Sequence, residues 1–189
     1  MNYKKLVILT APSGAGKTSI TRYLMKVFPK LEFSVSAATR KPRVDEKDGK
    51  DYYFITPEEF QQKIRNKEFA EWEMVYEGKY YGTLKSELER IWGQNKIPVL
   101  DIDVQGAIHV KTQYPINTLS MFIEPPSINE LKKRLESRGS ETAESLQARI
   151  NKSAYELTFK KHFENVIVNE NFDVACGQAE AILKRFLDN

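Results

Sequence analysis

Short apolar runs separated by amphipathic stretches give the chain its rhythm. Leu6 to Leu9 is a β-branched-rich run closed by a Gly/Pro/Ser cluster, and Ile20, Tyr23, Leu24 and Val27 then recur at helical spacing between Thr18 and Phe28. This pattern predicts strand, loop, helix. It returns at Ile97 to Asp101 before a helix from about Val104, at Leu119 to Ile123 before a helix opened by Pro126 and Ser127, and at Val166 to Val168 before a C-terminal helix. With Phe33 to Val35 as a further strand, five buried strands alternate with helices. The expected fold is α/β, a doubly wound five-stranded parallel sheet that binds ligands at the carboxyl ends of its strands.

Two stretches interrupt the alternation. Residues 36–85 hold three short strand patterns, Asp51 to Thr56, Glu71 to Tyr76 and Lys79 to Gly82, with one helix near Pro57 to Asn66, and read as a small mixed α/β excursion. Arg138 to Glu144 carries turn and capping residues between two charged helices, as a mobile flap would. The expected organisation is one domain over 1–189, with a core of 1–35, 86–133 and 150–189, an excursion of 36–85 and a helical lid of 134–149. Ile182, Leu183, Phe186 and Leu187 form a face suited to docking the last helix on the core.

Composition narrows the partners. At 189 residues and 41% hydrophobic content the chain can bury one continuous core. Its 29 Lys and Arg against 26 Asp and Glu leave a net charge of +3, too little to coat nucleic acid, so any anion site must be local. Cys176 is the only cysteine and is expected to be a small buried hydrophobe in a reducing compartment. The apolar run before Pro12 is too short for a signal core or a membrane span, and a cytoplasmic location without membrane or nucleic-acid partners is expected. Monomer and homo-oligomer are equally open. His109 and His162 receive no role.

Residues 11–18 match G-x-x-x-x-G-K-[ST] at every defined position except the first, where Ala11 stands for Gly. In such a loop Gly14 and Gly16 let backbone N–H groups turn toward phosphate oxygens. Lys17 reaches the β- and γ-phosphates, and the Thr18 hydroxyl can ligate Mg²⁺. A positive φ at Ala11 would cost on the order of 1 kcal/mol, an extended one almost nothing.

A second dense constellation follows: Ser36, Thr39, Arg40 and Arg43, then Gly49, Tyr52 and Phe54. Further along come Glu71-Trp72, Tyr81-Gly82-Thr83, Asp101-Ile-Asp103, Arg134 with Arg138-Gly139, and Asn169. In order and near spacing, over nearly the whole chain, these motifs resemble the guanylate kinase family of P-loop nucleoside monophosphate kinases. The resemblance implies reversible, Mg²⁺-dependent transfer of the γ-phosphoryl group of ATP to GMP, and to dGMP, with ATP and GMP as the small-molecule partners.

It also implies site residues. ATP would lie on Ala11, Pro12, Ser13, Gly14, Ala15, Gly16, Lys17 and Thr18, with Asn169 near the adenine. Arg40, Arg43, Tyr52 and Tyr81 would hold the GMP phosphate, a role that guanidinium forks and phenol hydroxyls suit. Glu71, Ser36, Thr83 and Asp103 would read guanine: the carboxylate accepts from N1–H and N2–H₂ while hydroxyls donate to O6, and adenine would leave these groups unpaired. Asp101 would lie on the acceptor side near the phosphate loop. Asp103 would also serve Mg²⁺, through water. On the residues alone, Asp101 and Asp103 sit two apart at a strand end and either can orient metal-bound waters.

Arg134, Arg138 and Arg149 would join Lys17 as catalytic cations over the transferring phosphate. Arg134 and Arg138 equally fit a solvated helix face. Two alternatives keep the same frame: a guanylate-kinase-like module that binds proteins without catalysis, and a related kinase for a phosphorylated sugar.

Overall fold

The computed structural model describes residues 4–137 and 143–188. Along the chain, β1 (Leu6–Thr10), α1 (Lys17–Val27) and β2 (Leu31–Phe33) precede β3 (Ala37–Ala38), β4 (Tyr53–Phe54), α2 (Pro57–Arg65), β5 (Phe69–Tyr76) and β6 (Lys79–Leu84). Then follow α3 (Lys85–Gly93), β7 (Ile97–Asp101), α4 (Val104–Gln113), β8 (Thr118–Glu124) and α5 (Ile128–Glu136). Last come α6 (Ala143–Leu157), a 3-10 turn (Thr158–His162), β9 (Asn165–Val168) and α7 (Phe172–Asp188).

The five-stranded sheet has the order β2-β7-β1-β8-β9 with every pair parallel. β1 lies at its centre and is buried along its whole length, because helices cover both faces. Its side chains alternate between the two cores. Val7 and Leu9 pack with Ile20 and Leu24 of α1 and Leu183 of α7, whereas Leu6 and Ile8 pack with Leu88 of α3 and Val110 of α4. Cys176 is buried at 2% exposure in the first of these, and Ile182, Phe186 and Leu187 pack against it from α7.

One strand is displaced from its sequence-predicted position. The expected Phe33 to Val35 strand is Leu31–Phe33, in register with Ile97 to Val99 of β7. A further bond from Ser34 N–H to Val99 O, 3.0 Å, follows the last ladder residue, and there the chain turns away into the excursion.

The excursion forms a mixed four-stranded sheet, β4-β3-β6-β5. β3 pairs parallel with β4 and antiparallel with β6, and β6 pairs antiparallel with β5. β3 carries no sequence signal of its own and exists only through pairing. The expected Asp51 to Thr56 strand contracts to two residues because Thr56 turns to cap α2. Its hydroxyl accepts from Glu59 N–H, Glu59 reciprocates, and Pro57 occupies the first turn. Phe60 of α2 then stacks on Phe69 at 4.3 Å, making the excursion's own small core.

Glu87 of α3 ties this sheet to the main one. Only 3% exposed, it accepts from Val35 N–H at 3.1 Å, Tyr53 Oη at 2.9 Å and Arg90 Nε at 2.8 Å. The expected flap falls partly outside the described residues, which omit Arg138 to Thr142. Among the described residues no helix is long and apolar enough to cross a membrane.

Candidate active site

β1 runs out at Thr10 into a turn whose glycines carry left-handed angles, φ 92° at Gly14 and 96° at Gly16. No side chain caps α1 at Gly16; Ser19 N–H turns back to Gly16 O at 3.2 Å, and the N–H groups of Lys17 and Thr18 begin the helix end whose dipole favours an anion. Ala11 is absent from the residues with positive φ and is 6% exposed, packed in the core beneath the loop. Alanine at the first motif position therefore carries no left-handed strain. Lys17 Nζ forms an ion pair with Asp101 and donates to Ile102 O at 3.2 Å. Asp101 ends β7, whereas Asp103 lies past the strand and caps α4, accepting from Gly106 N–H at 2.8 Å. Strand alternation thus does not relate the two carboxylates, yet both line one cleft of about 790 Å³ together with the phosphate loop.

The opposite wall comes from β5 and β6. Antiparallel register sets Glu71 across from Thr83 and Glu73 across from Tyr81, and directly opposed residues share a face. Glu71, Glu73 and Val75 alternate toward the cleft, as a strand demands. Thr83, fully buried, donates its hydroxyl to Glu71 Oε1 at 2.6 Å. Glu71 is itself 6% exposed. Burial pushes its carboxyl up to about 7, helped by the charge of Asp103, and the Thr83 hydrogen bond only partly opposes this. Gly106 stands against the other oxygen: a Cβ there would sit 2.8 Å from Glu71 Oε2.

Arg40 is fixed on three sides. Its Nε donates to Tyr81 Oη at 3.1 Å, its two terminal nitrogens grip the Glu46 carboxylate, and its guanidinium lies 4.9 Å from the centre of the Tyr52 ring. Glu46 also accepts from Arg43 N–H at 2.8 Å. The Arg40 guanidinium and the Arg43 amide hold the Glu46 carboxyl down to about 2. From the other side α6 presents Arg149, Lys152, Ser153 and Glu156, spaced so as to share one helix face toward the cleft. Burial raises the Glu156 carboxyl, against the pull of Lys152.

A phosphate loop facing a buried carboxylate and an Arg/Tyr cluster across one cleft is the geometry that the motifs led one to expect, and comparison with known proteins gives it a family. The family model for guanylate kinase matches residues 3–186. The chain belongs to the guanylate kinase family. It is 45% identical over 184 residues to a guanylate kinase of Bacteroides thetaiotaomicron, covering 97% of this chain and 90% of that one. It is 42% identical over 186 residues to one of Salinibacter ruber, covering 98% of each. The crystal structure of guanylate kinase from Anaplasma phagocytophilum superposes with a TM-score of 0.76 at 30% identity, over 96% of this chain and 85% of that one.

Of the residues implied by resemblance to guanylate kinases, Ala11, Pro12, Ser13, Gly14, Gly16, Lys17, Thr18, Ser36, Tyr52, Glu71, Tyr81, Asp101, Asp103 and Arg149 line the one cleft. Arg40 reaches it through its contacts with Tyr52 and Tyr81. Arg43 is exposed beside it. Three of the implied residues stand off the lining of this cleft. Thr83 does not line the cleft, and its hydroxyl proton is committed to Glu71 rather than open to a base. Asn169 is 5% exposed and lies behind the phosphate loop, its side-chain amide donating to Ala15 O at 2.7 Å. Arg134 also stands off the cleft, donating to Asn169 O at 3.1 Å and pairing with Glu130. Ala15 is fully buried in the loop, and Arg138 lies outside the described residues.

Sequence reasoning missed Glu46, Glu73, Lys152, Ser153 and Glu156. Glu46 carried a signal, an acid three residues after Arg43 in a segment dense with arginine and tyrosine. The α6 residues follow Arg149 by three, four and seven positions, the spacing of one helix face.

Proposed function

We propose that the chain catalyses reversible, Mg²⁺-dependent transfer of the γ-phosphoryl group of ATP to GMP, giving ADP and GDP, with dGMP as a second acceptor. The observation that carries this reading is the shared cleft: Lys17 and the phosphate loop line one part of it, Glu71 and Tyr81 another. A donor phosphate and an acceptor purine can therefore meet without leaving the protein.

The loop amides and Lys17 take the ATP phosphates, for which Lys17 exchanges Asp101. Arg40, Arg43, Tyr52 and Tyr81 take the GMP phosphate. Glu71, ionised, accepts from guanine N1–H and N2–H₂, with Ser36 and Asp103 beside it and Thr83 acting through Glu71. Adenine presents an acceptor at N1 and leaves the buried carboxylate unpaired, a mismatch of the kind that rejects analogues by roughly 10⁴-fold. Arg149, with Arg138 and Arg134 of the lid, supplies cationic charge as the phosphoryl group moves. Positioning and charge neutralisation carry such a transfer, which needs little covalent help.

Thr18 and Asp103 are the residues that would hold Mg²⁺, Asp103 through water. Their hard oxygens, beside the phosphate loop, match a cation that keeps its waters and leans on substrate phosphates. The ion's chemistry is to neutralise charge on the β- and γ-phosphate oxygens. In this reading 36–85 is the GMP-binding part and 134–149 a lid, and closure of both excludes water from the transfer. The single buried Cys176 fits a reducing, cytoplasmic setting.

An assay of ATP-dependent GDP formation tests the proposal. GMP should be phosphorylated and AMP scarcely, and Lys17→Met should remove turnover. Comparable rates on the two acceptors would sink the guanine assignment, and turnover that survives Lys17→Met would sink the donor site.

A further inference from the structure

Over its middle, β5 turns its apolar residues outward and its acids inward. Trp72 and Met74 are 46% and 49% exposed, while Glu71 and Glu73 face the cleft. Pairing with β6 is regular from Glu71 to Met74, so the two carboxylates share one face with their Cα atoms roughly 7 Å apart. Glu71 is held by the Thr83 hydroxyl. Glu73 differs: its Oε2 is buried and has no hydrogen-bond partner among the described residues. A buried carboxylate oxygen without a donor is costly, and a strand does not place one in a cleft without a reason. The ladder shows which donor can reach it. Glu71 stands across from Thr83, and Glu73 across from Tyr81. Tyr81 in turn accepts from Arg40 Nε at 3.1 Å and meets the Tyr52 ring edge-on at 5.9 Å. From Glu71 to Glu73 the wall therefore passes from the row read as holding the base to the row read as holding the phosphate.

We propose that Glu73 is a specificity-determining residue that accepts a hydrogen bond from the 2′-hydroxyl of the acceptor nucleotide, and so favours the ribonucleotide over its deoxy form. This rests on the reading of the wall as the GMP site and deepens it. What lies between a base and its phosphate is the sugar. Guanine N2 and the ribose 2′-hydroxyl project from one edge of a nucleotide, the edge that a duplex shows in its minor groove. A side chain two residues past the N2 reader, on the same face of the strand, stands beside that hydroxyl. The deoxy acceptor has no donor there and leaves Glu73 Oε2 unpaired in a cleft from which it has displaced water, so it is the weaker of the two acceptors. Arg149 and Lys152 line the same cleft, and an ion pair of Glu73 with either would be blind to the sugar.

The two roles separate when the sugar is varied. Affinities for GMP, dGMP and 3′-deoxy-GMP are measured by titration calorimetry on the unaltered chain, on Glu73→Ala and on Glu73→Gln. The unaltered chain should bind GMP and 3′-deoxy-GMP about 10-fold or more tighter than dGMP, as one hydrogen bond to a charged group allows. Glu73→Ala should bring GMP and dGMP within about twofold of each other, chiefly by weakening GMP. Glu73→Gln keeps the volume and one acceptor oxygen and should keep part of the preference; if Glu73→Ala fails to fold, this smaller preference is the result required. A loss shared equally by GMP and dGMP would overturn the proposal in favour of an ion pair with α6, and a preference untouched in both variants would overturn it too. Weak binding of 3′-deoxy-GMP in place of dGMP would move the contact to the other hydroxyl and sink the 2′ assignment. Equal affinity of the unaltered chain for GMP and AMP would instead strike the guanine reading itself, and the proposal with it.

Discussion

Glu46 holds Arg40 by both terminal nitrogens of its guanidinium, with Nη2 to Oε1 at 2.7 Å, and the same carboxylate accepts from the Arg43 amide. One acid thus organises both arginines of the turn that is read as the GMP phosphate site. The ion pair is mostly shielded, its side chains 13% and 16% exposed. Glu46→Ala removes a two-pronged charge-assisted contact and lets the Arg40 side chain swing from its seat beside Tyr81 and Tyr52. The Michaelis constant for GMP should rise roughly 10-fold, with that for ATP unchanged. Glu46→Gln keeps part of the grip and should fall between. Steady-state kinetics on both substrates separates these outcomes from a general loss of structure.

With Glu71 in the proposed guanine-reading role, acceptor binding should depend on pH. Its carboxyl titrates near 7 instead of 4.5, so the folded protein keeps a proton through a range in which the unfolded chain has lost it. The cost of burying the charge is absent below about pH 4.5, grows through that window and is complete above about pH 7, amounting to roughly 3 kcal/mol. Folding stability from this group therefore falls as pH rises from 4.5 to 7. GMP affinity runs the other way on the proposed reading, in which guanine donates to the ionised carboxylate: it should climb to a plateau above pH 7, with proton release on binding at pH 6. The GMP phosphate also titrates near pH 6, so the comparison is with Glu71→Gln, which should lack the Glu71 component. Calorimetry in buffers of different ionisation enthalpy counts the released protons, and equal counts for the two proteins would refute the assignment.

The same residue shows where the chain's sequence is transparent and where it is not. The five core strands are readable because sheet faces covered on both sides need unbroken apolar runs such as Leu6 to Leu9, and turn residues punctuate them. β2 slips by two residues because its end is decided by pairing with Val99 of β7, and β3 is two alanines that only a neighbour makes into a strand. In the site, the phosphate loop is legible since its chemistry is local. Glu71 alone resembles any solvated strand carboxylate, and its burial arises from Thr83 across the ladder and Gly106 on another helix, twelve and thirty-five residues away. Asn169 is harder still: its partner Ala15 is 154 residues distant, so nothing near it in sequence announces what it touches.

Thr83 tunes Glu71 without facing the cleft. Its 2.6 Å hydrogen bond favours the carboxylate over the acid. Thr83→Val keeps the shape and deletes the donor, so the Glu71 carboxyl should rise further and the pH midpoint of GMP binding should move upward. At pH 7 affinity should fall about 10-fold, since one hydrogen bond to a charged group is worth roughly 1.5 kcal/mol or more. Thr83→Ser, which retains the hydroxyl, should behave as the unaltered protein. A fall in affinity without any shift of the midpoint would show that Thr83 acts on the nucleotide directly.

Gly106 sits in the first turn of α4, where alanine would ordinarily stabilise a helix by up to about 1 kcal/mol. Here a Cβ would stand 2.8 Å from Glu71 Oε2 and 3.5 Å from Asp103 Oδ1. A flexible surface carboxylate would move aside at little cost. Glu71 cannot do so freely, because its other oxygen is held by Thr83 and its side chain is closed in on the remaining sides. Relief must come from pushing the carboxylate toward the cleft, into the place proposed to read the guanine edge. Gly106→Ala should therefore leave the melting temperature within a few degrees, as helix propensity offsets the crowding. GMP affinity should drop by about 10-fold or more, while ATP affinity stays near that of the unaltered chain. Thermal melts paired with calorimetric titration of each nucleotide test this, and a large fall in melting temperature with GMP binding intact would contradict it.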